Sequence, residues 1–235
     1  PTPALDLALL LESDRMGWLL PAVTQTKLDA QRKVVLNEKR QGDNEPGGLA
    51  QYEMLSALFP PDHPMSVSPI GRPKDLEAAT LDDVQGWFKG HYGPNNAVLV
   101  LAGDIDLPTA KEKVEHWFGQ IPAGPTPGRF AGWVPQRTET TRATMQDRVA
   151  TTRLSRYWAV PGRDGGAENA DLDVALAILA SGPTSRLTQA LVRDERLAVS
   201  VGGGTSQESM GGIASLSVDV APGVDPAKVE ARIDA

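Results

Sequence analysis

Leu197-Ala198-Val199-Ser200-Val201-Gly202-Gly203 and Gly212-Ile213-Ala214-Ser215-Leu216-Ser217-Val218-Asp219-Val220 alternate apolar with small or polar residues. That is the period-two pattern of strands with one face on a core. Two helical patterns precede them, Ala167–Ala180 and about 184–193, and two strand-like runs precede those, about 142–149 and 154–160. After them, Asp225-Pro226-Ala227-Lys228-Val229-Glu230-Ala231-Arg232-Ile233 reads as a capped helix with Val229 and Ile233 on one face. The order β-β-α-α-β-β-α points to an α+β domain in which helices are layered on a sheet.

Upstream, the run from Gln120 to Pro135 carries Pro122, Pro125, Pro127 and Pro135 with Gly124, Gly128 and Gly132, the composition of a linker. Before it the chain is mainly helical. Thr2 and Pro3 suit an N-cap and first turn for a leucine-rich helix from Leu5 to Leu20, closed or kinked at Pro21. A second helix is expected over 26–41, stopped by Gly42, and a third carries Leu49, Tyr52, Leu55 and Leu58. Thr80 and Asp83 have capping-box spacing ahead of Leu81, Val84 and Phe88. Asn96-Ala97-Val98-Leu99-Val100-Leu101-Ala102-Gly103 reads as a strand buried on both faces, and Leu107-Pro108 opens another helix.

Composition excludes several classes. The 235 residues hold 23 basic against 30 acidic side chains, a net charge of −7, which argues against nucleic acid or an anionic membrane as partner. With no cysteine there are no disulfides, thiolate metal sites or thiol nucleophiles. No apolar run approaches the roughly 20 residues of a membrane span. No G-x-S-x-G elbow or phosphate-binding G-x-x-x-x-G-K-[ST] loop occurs. Gly202-Gly203-Gly204 reads as a strand end or bulge, and Gly103-Asp104-Ile105-Asp106 as a turn and N-cap. The three histidines, His63, His91 and His116, have no i, i+4 partner among themselves and read as structural.

Glu38 stands out. On a helix it shares a face with Gln31, Val34 and Val35, running back to Leu28, so that face is expected to be buried. A buried carboxylate needs a cation or good donors. The ordinary reading of a helical glutamate is still a solvated or salt-bridged one.

At this point the residues resemble a family. Leu11-Glu12-Ser13-Asp14-Arg15-Met16-Gly17 and Leu28-Asp29-Ala30-Gln31-Arg32-Lys33-Val34-Val35-Leu36-Asn37-Glu38-Lys39-Arg40-Gln41 are similar to the insulinase-type (M16, pitrilysin) zinc peptidases. So are His63-Pro64, Ile70-Gly71, the segment 92–104, Ser185-Arg186-Leu187, 190–193 and 197–201. The resemblance implies two-layer helix-on-antiparallel-sheet domains of the LuxS/M16 metallohydrolase-like type. One would be partial (1–128, catalytic type), followed by a linker (129–138) and a C-terminally truncated second domain (139–235).

In that family zinc is held by the two histidines of an H-x-x-E-H helix and a later glutamate, leaving one tetrahedral position for a water whose pKa falls to about 7. Glu38 matches the later glutamate as metal ligand. Gln31 falls where many members carry a second glutamate and implies support by hydrogen bonding. No H-x-x-E-H occurs in these residues, so no catalytic residue is assigned and the piece alone is expected to be inactive. Val192 and Val199 stand where substrate-gripping halves carry arginine and tyrosine, so the second domain reads as a structural companion.

Both ends read as cuts in a longer chain. The implied whole is a zinc metalloendopeptidase acting on peptides or unfolded polypeptides together with a second M16 half or subunit, periplasmic or secreted by analogy with relatives. A non-catalytic M16-like scaffold or partner subunit is the alternative, and an unrelated α+β binding domain a third reading.

Overall fold

The structure, a computed structural model, describes residues 4–163 and 166–235; Thr2 and Pro3 lie outside them. The described chain forms two units: residues up to Glu38 with Arg72–Arg129, and Lys39–Gly71 with Phe130–Ala235.

The first unit is helical. It holds α1 (Leu5–Gly17), the first part of α2 (Gln25–Asn44), α4 (Pro73–Ala78), α5 (Leu81–His91) and α6 (Leu107–Phe118). Two starts follow from local chemistry. Thr80 and Asp83 form the expected capping box on α5, and Asp106 caps α6 by accepting the Thr109 N–H at 2.8 Å. Helix α1 packs on α6. Leu9 is buried, and Gly17 lets Ile121 come close, since a Cβ there would lie 3.1 Å from its side chain.

The strand expected over 96–103 does not form. Pro94–Asn96 is a turn of 3-10 helix, and the residues after it are unpaired, with Val98 90% and Val100 78% exposed. An apolar run becomes a strand only when another backbone takes up its N–H and C=O groups. Among the described residues none does. The run expected as a strand at 142–149 is likewise without a ladder.

The second unit is built on a three-stranded antiparallel sheet, β1 (Arg153–Val160), β3 (Gly211–Val220) and β2 (Ala198–Glu208), in spatial order β1-β3-β2. Alternation along the central strand sets its sides. Ala214, Leu216, Val218 and Val220 are buried. They meet Ala180 of α7 (Ala167–Ala180), Leu187 and Leu191, and Val229 of α8 (Pro226–Asp234) in the main core. On the other face Ile213, with Ala159, contacts Leu55, Leu58 and Phe59 around α3 (Ala50–Leu58). That α+β arrangement is the expected one.

Two details differ from the sequence reading. Gly202-Gly203-Gly204 lies inside the regular ladder, while the bulge falls three residues before Gly202, between Ala198 and Ser200. Gly203 is required by contact: a Cβ there would sit 2.7 Å from the Ala180 Cβ, so its absence lets α7 settle on β2. The helix expected over 184–193 widens into a π-helix at Thr188–Asp194, where the Glu195 N–H reaches back five residues to the Ala190 carbonyl. It closes through Arg196 at φ 54°, a left-handed setting that is uncommon for a residue with a Cβ.

Gly203→Ala is therefore expected to lower stability by about 1–3 kcal/mol through overpacking. Gly204→Ala, whose Cβ meets nothing within 4 Å, is expected to change it by less than about 0.5 kcal/mol. Urea midpoints of the two variants, compared with the parent chain, make the comparison.

Candidate metal-ligand helix

Helix α2 is the longest in the structure, with 20 residues. Ala30, Gln31, Arg32, Leu36, Glu38, Lys39, Arg40 and Gln41 are good helix formers, and the Thr24 hydroxyl accepts the Lys27 N–H near its start. The helix runs through Gly42 to Asn44, beyond the stop expected there. A glycine inside a helix costs about 1 kcal/mol, and the contacts of Asp43 offset it.

Those contacts are a cluster in the second unit. The Lys39 ammonium lies 3.1 and 3.2 Å from the two Asp43 carboxylate oxygens and 3.9 Å from the centre of the Tyr52 ring. The Tyr52 hydroxyl donates to Asp43 at 2.7 Å. Lys39 is buried, the only charged residue of α2 that is. Tyr52 first, and then Lys39, hold the Asp43 carboxyl below the usual range; Tyr52 and then Asp43 hold the Lys39 ammonium above its own.

A second anchor lies in the first unit. The Arg32 guanidinium donates to the Leu76 carbonyl at 2.9 Å and the Ala79 carbonyl at 2.6 Å, and Asp29 accepts from it at 2.7 Å. Leu76 is in α4 and Ala79 is its C-cap, so the cation closes carbonyls that a helix end leaves without intrahelical donors.

These anchors reverse the burial expected of Glu38. Gln31, Val34 and Glu38 are exposed, Val34 by 54%, while Leu28, Arg32, Val35 and Lys39 line the inward side. Val34 is apolar yet exposed, so the inward face lies one residue on from the stripe expected to be buried. Long cationic side chains bury their stems along apolar surface, and here their heads find partners inside as well. The step from Arg32 to Lys39 is seven residues, the same as from Gln31 to Glu38, so spacing in the sequence does not tell the inward stripe from the outward one.

Zinc needs several donors at one place, and the described residues contain no group of three or more His, Cys, Asp and Glu side chains able to hold a metal ion. An exposed carboxylate on a long, anchored helix fits a single ligand and nothing more. The histidines do not join it in such a group. His63 is buried, accepts the Met65 N–H at Nδ1 and lies 3.0 Å from the Trp133 carbonyl through Nε2, which must donate there. It stacks on Phe59, as a structural histidine does. His91 bonds the Trp87 carbonyl within the last turn of α5, and His116 packs against Trp117.

Residues 78–235 match the family model described as the Peptidase M16 inactive domain. The chain is 28% identical over 200 residues to the zinc protease PqqE of Helicobacter pylori, spanning 83% of this chain and 44% of that protein. Among solved structures it resembles a protease from Helicobacter pylori with a TM-score of 0.82 at 24% identity, over 99% of this chain and 56% of that one. It also resembles the periplasmic protease PqqL of Escherichia coli, with a TM-score of 0.69 at 15% identity, over 94% of this chain and 24% of that one.

The cluster sets a pH dependence. The contribution of Asp43, whose folded value is depressed, is complete above the unfolded carboxyl value of about 3.9 and is lost as pH falls through the folded one. That of Lys39 is complete below about 10.4 and is lost as pH rises through its raised folded value. Tyr52→Phe is expected to cost about 1.5–3 kcal/mol at pH 7, the range for a hydrogen bond to a charged group. Urea unfolding from pH 7 down to pH 2 should show that cost shrinking as Asp43 protonates.

Proposed function

The chain belongs to the Peptidase M16 family, and from that premise we propose that it is part of a zinc-dependent metalloendopeptidase to which it contributes the Glu38 carboxylate as one metal ligand. What supports the reading is the outward setting of Glu38 on an anchored 20-residue helix, in a chain similar to proteins named zinc proteases. Zinc held by such a ligand and two histidines would supply the Lewis acidity for peptide hydrolysis. This chain's part is to bring one carboxylate to the metal. Gln31, seven residues earlier on the same outward stripe, would hold that carboxylate through a hydrogen bond without adding charge. The H-x-x-E-H histidines and general base would come from residues outside this chain, which by itself would be inactive.

The same reading divides the chain into the C-terminal part of a catalytic-type domain (1–128), a linker (129–138) and a second M16-type domain (139–235). The change of unit between Arg129 and Phe130 falls near that division, while Lys39–Gly71, within 1–128, groups with the second unit. Substrates would be peptides or unfolded polypeptides, gripped together with a second M16 half or subunit. A periplasmic or secreted setting is proposed by likeness to PqqL. Among the described residues no helix is long and apolar enough to cross a membrane.

The second reading is a non-catalytic scaffold or partner subunit. It is favoured by the match of residues 78–235 to the family model described as the inactive domain. Metal analysis of the full-length protein separates the two. On the peptidase reading it carries about one zinc per chain, and Glu38→Gln removes the zinc and peptide hydrolysis together. A full-length protein that binds no zinc, or one whose zinc affinity Glu38→Gln leaves unchanged, overturns the assignment of Glu38.

A further inference from the structure

We propose that Arg32 is a positioning residue for the Glu38 carboxylate: clamped on the end of α4, it fixes the rotation of α2 about its own axis. The inference rests on the reading of Glu38 as a zinc ligand. At about 100° per residue, Glu38 lies about 120° around the helix from Arg32, so whatever holds Arg32 inward turns Glu38 outward. Two carbonyls of fixed position, Leu76 and Ala79, receive separate nitrogens of one planar guanidinium, while Asp29 holds the third from the preceding turn. A planar fork tied at three points resists rotation in a way that apolar contacts along a helix do not.

The tolerance is narrow. On a helix about 10–12 Å across, a slip of about 20° carries a side-chain tip about 2 Å. A metal or catalytic group must be held within about 0.5 Å of its working position. The apolar residues on the inward side, Leu28 and Val35, are only partly buried, whereas the guanidinium is tied at three points. Burying Val34 would swing Glu38 toward the interior and withdraw the guanidinium from the α4 carbonyls. The clamp therefore selects between two settings of one helix. Arg32 touches neither substrate nor metal on this account and acts through Glu38.

The test compares Arg32→Leu, Arg32→Lys, Glu38→Gln and the core control Leu58→Ala in the full-length protein. Zinc affinity is read by chelator competition, and the rigidity of α2 by amide hydrogen exchange over 28–38. Arg32→Leu is expected to weaken zinc binding about 10–100-fold, as loss of a partner that orients a ligand does, and to speed exchange in α2. Arg32→Lys, able to reach one carbonyl but not fork across two, should recover part of the affinity. Leu58→Ala should lower the melting temperature and leave zinc affinity within about twofold. Wild-type zinc affinity in Arg32→Leu, with affinity lost in Glu38→Gln, overturns the clamp and leaves the ligand assignment standing. Equal weakening by Leu58→Ala also overturns it, by reducing the effect to general stability. Unchanged affinity in Glu38→Gln overturns both. If Arg32→Leu does not fold, the pair Arg32→Lys and Glu38→Gln carries the same comparison.

Discussion

A cation removed from water must meet a carboxylate, a carbonyl or an aromatic face, and that requirement governs α2. Lys39 is buried with its ammonium on Asp43 and over the Tyr52 ring, and Arg32 spreads its guanidinium across the end of α4. Leaving either head inside without partners would cost more than exposing one valine. Val34 lies on the outward stripe for that reason, together with Gln31 and Glu38.

The sheet of the second unit shows the converse balance, where close packing decides. Ala214, Leu216, Val218 and Val220 point one way from the central strand and gather Ala180, Leu191 and Val229 over them. Helix α7 approaches β2 closely enough that only glycine fits at position 203. The Ser181 hydroxyl then reaches the Gly203 carbonyl at 2.6 Å, tying the end of the helix to the strand. The polar alternate residues have their own partners. Asp219 takes two bonds from Arg153 and one from the Ser200 hydroxyl across both neighbouring strands, and Arg153 holds its carboxyl below the usual range.

Much of this was legible in the residues. Period-two alternation marked both long strands, Thr80 with Asp83 marked a helix start, and Asp225 caps α8 as its place before Pro226 implied. The family resemblance, carried by the segments around 11–17 and 28–41, agrees with the match over 78–235. Two strands were over-read, because Val98-Leu99-Val100-Leu101 has the composition of a buried strand but a ladder depends on a second segment. The π-helix at Thr188–Asp194 left no mark that a count of apolar spacing detects, since one extra residue per turn is a choice of backbone bonding.

For Glu38 the division is sharper. The sequence alone determined that a glutamate stands on a long helix seven residues after Gln31, inside a segment similar to the M16 peptidases, with no H-x-x-E-H among these residues. Which way that glutamate faces was decided only by tertiary structure. Neighbouring helical positions differ by about 100°, and a period count with polar and apolar residues on both sides cannot resolve one step of rotation. The partners that resolve it, the Leu76 and Ala79 carbonyls for Arg32 and the Tyr52 ring for Lys39, are brought to the helix by folding.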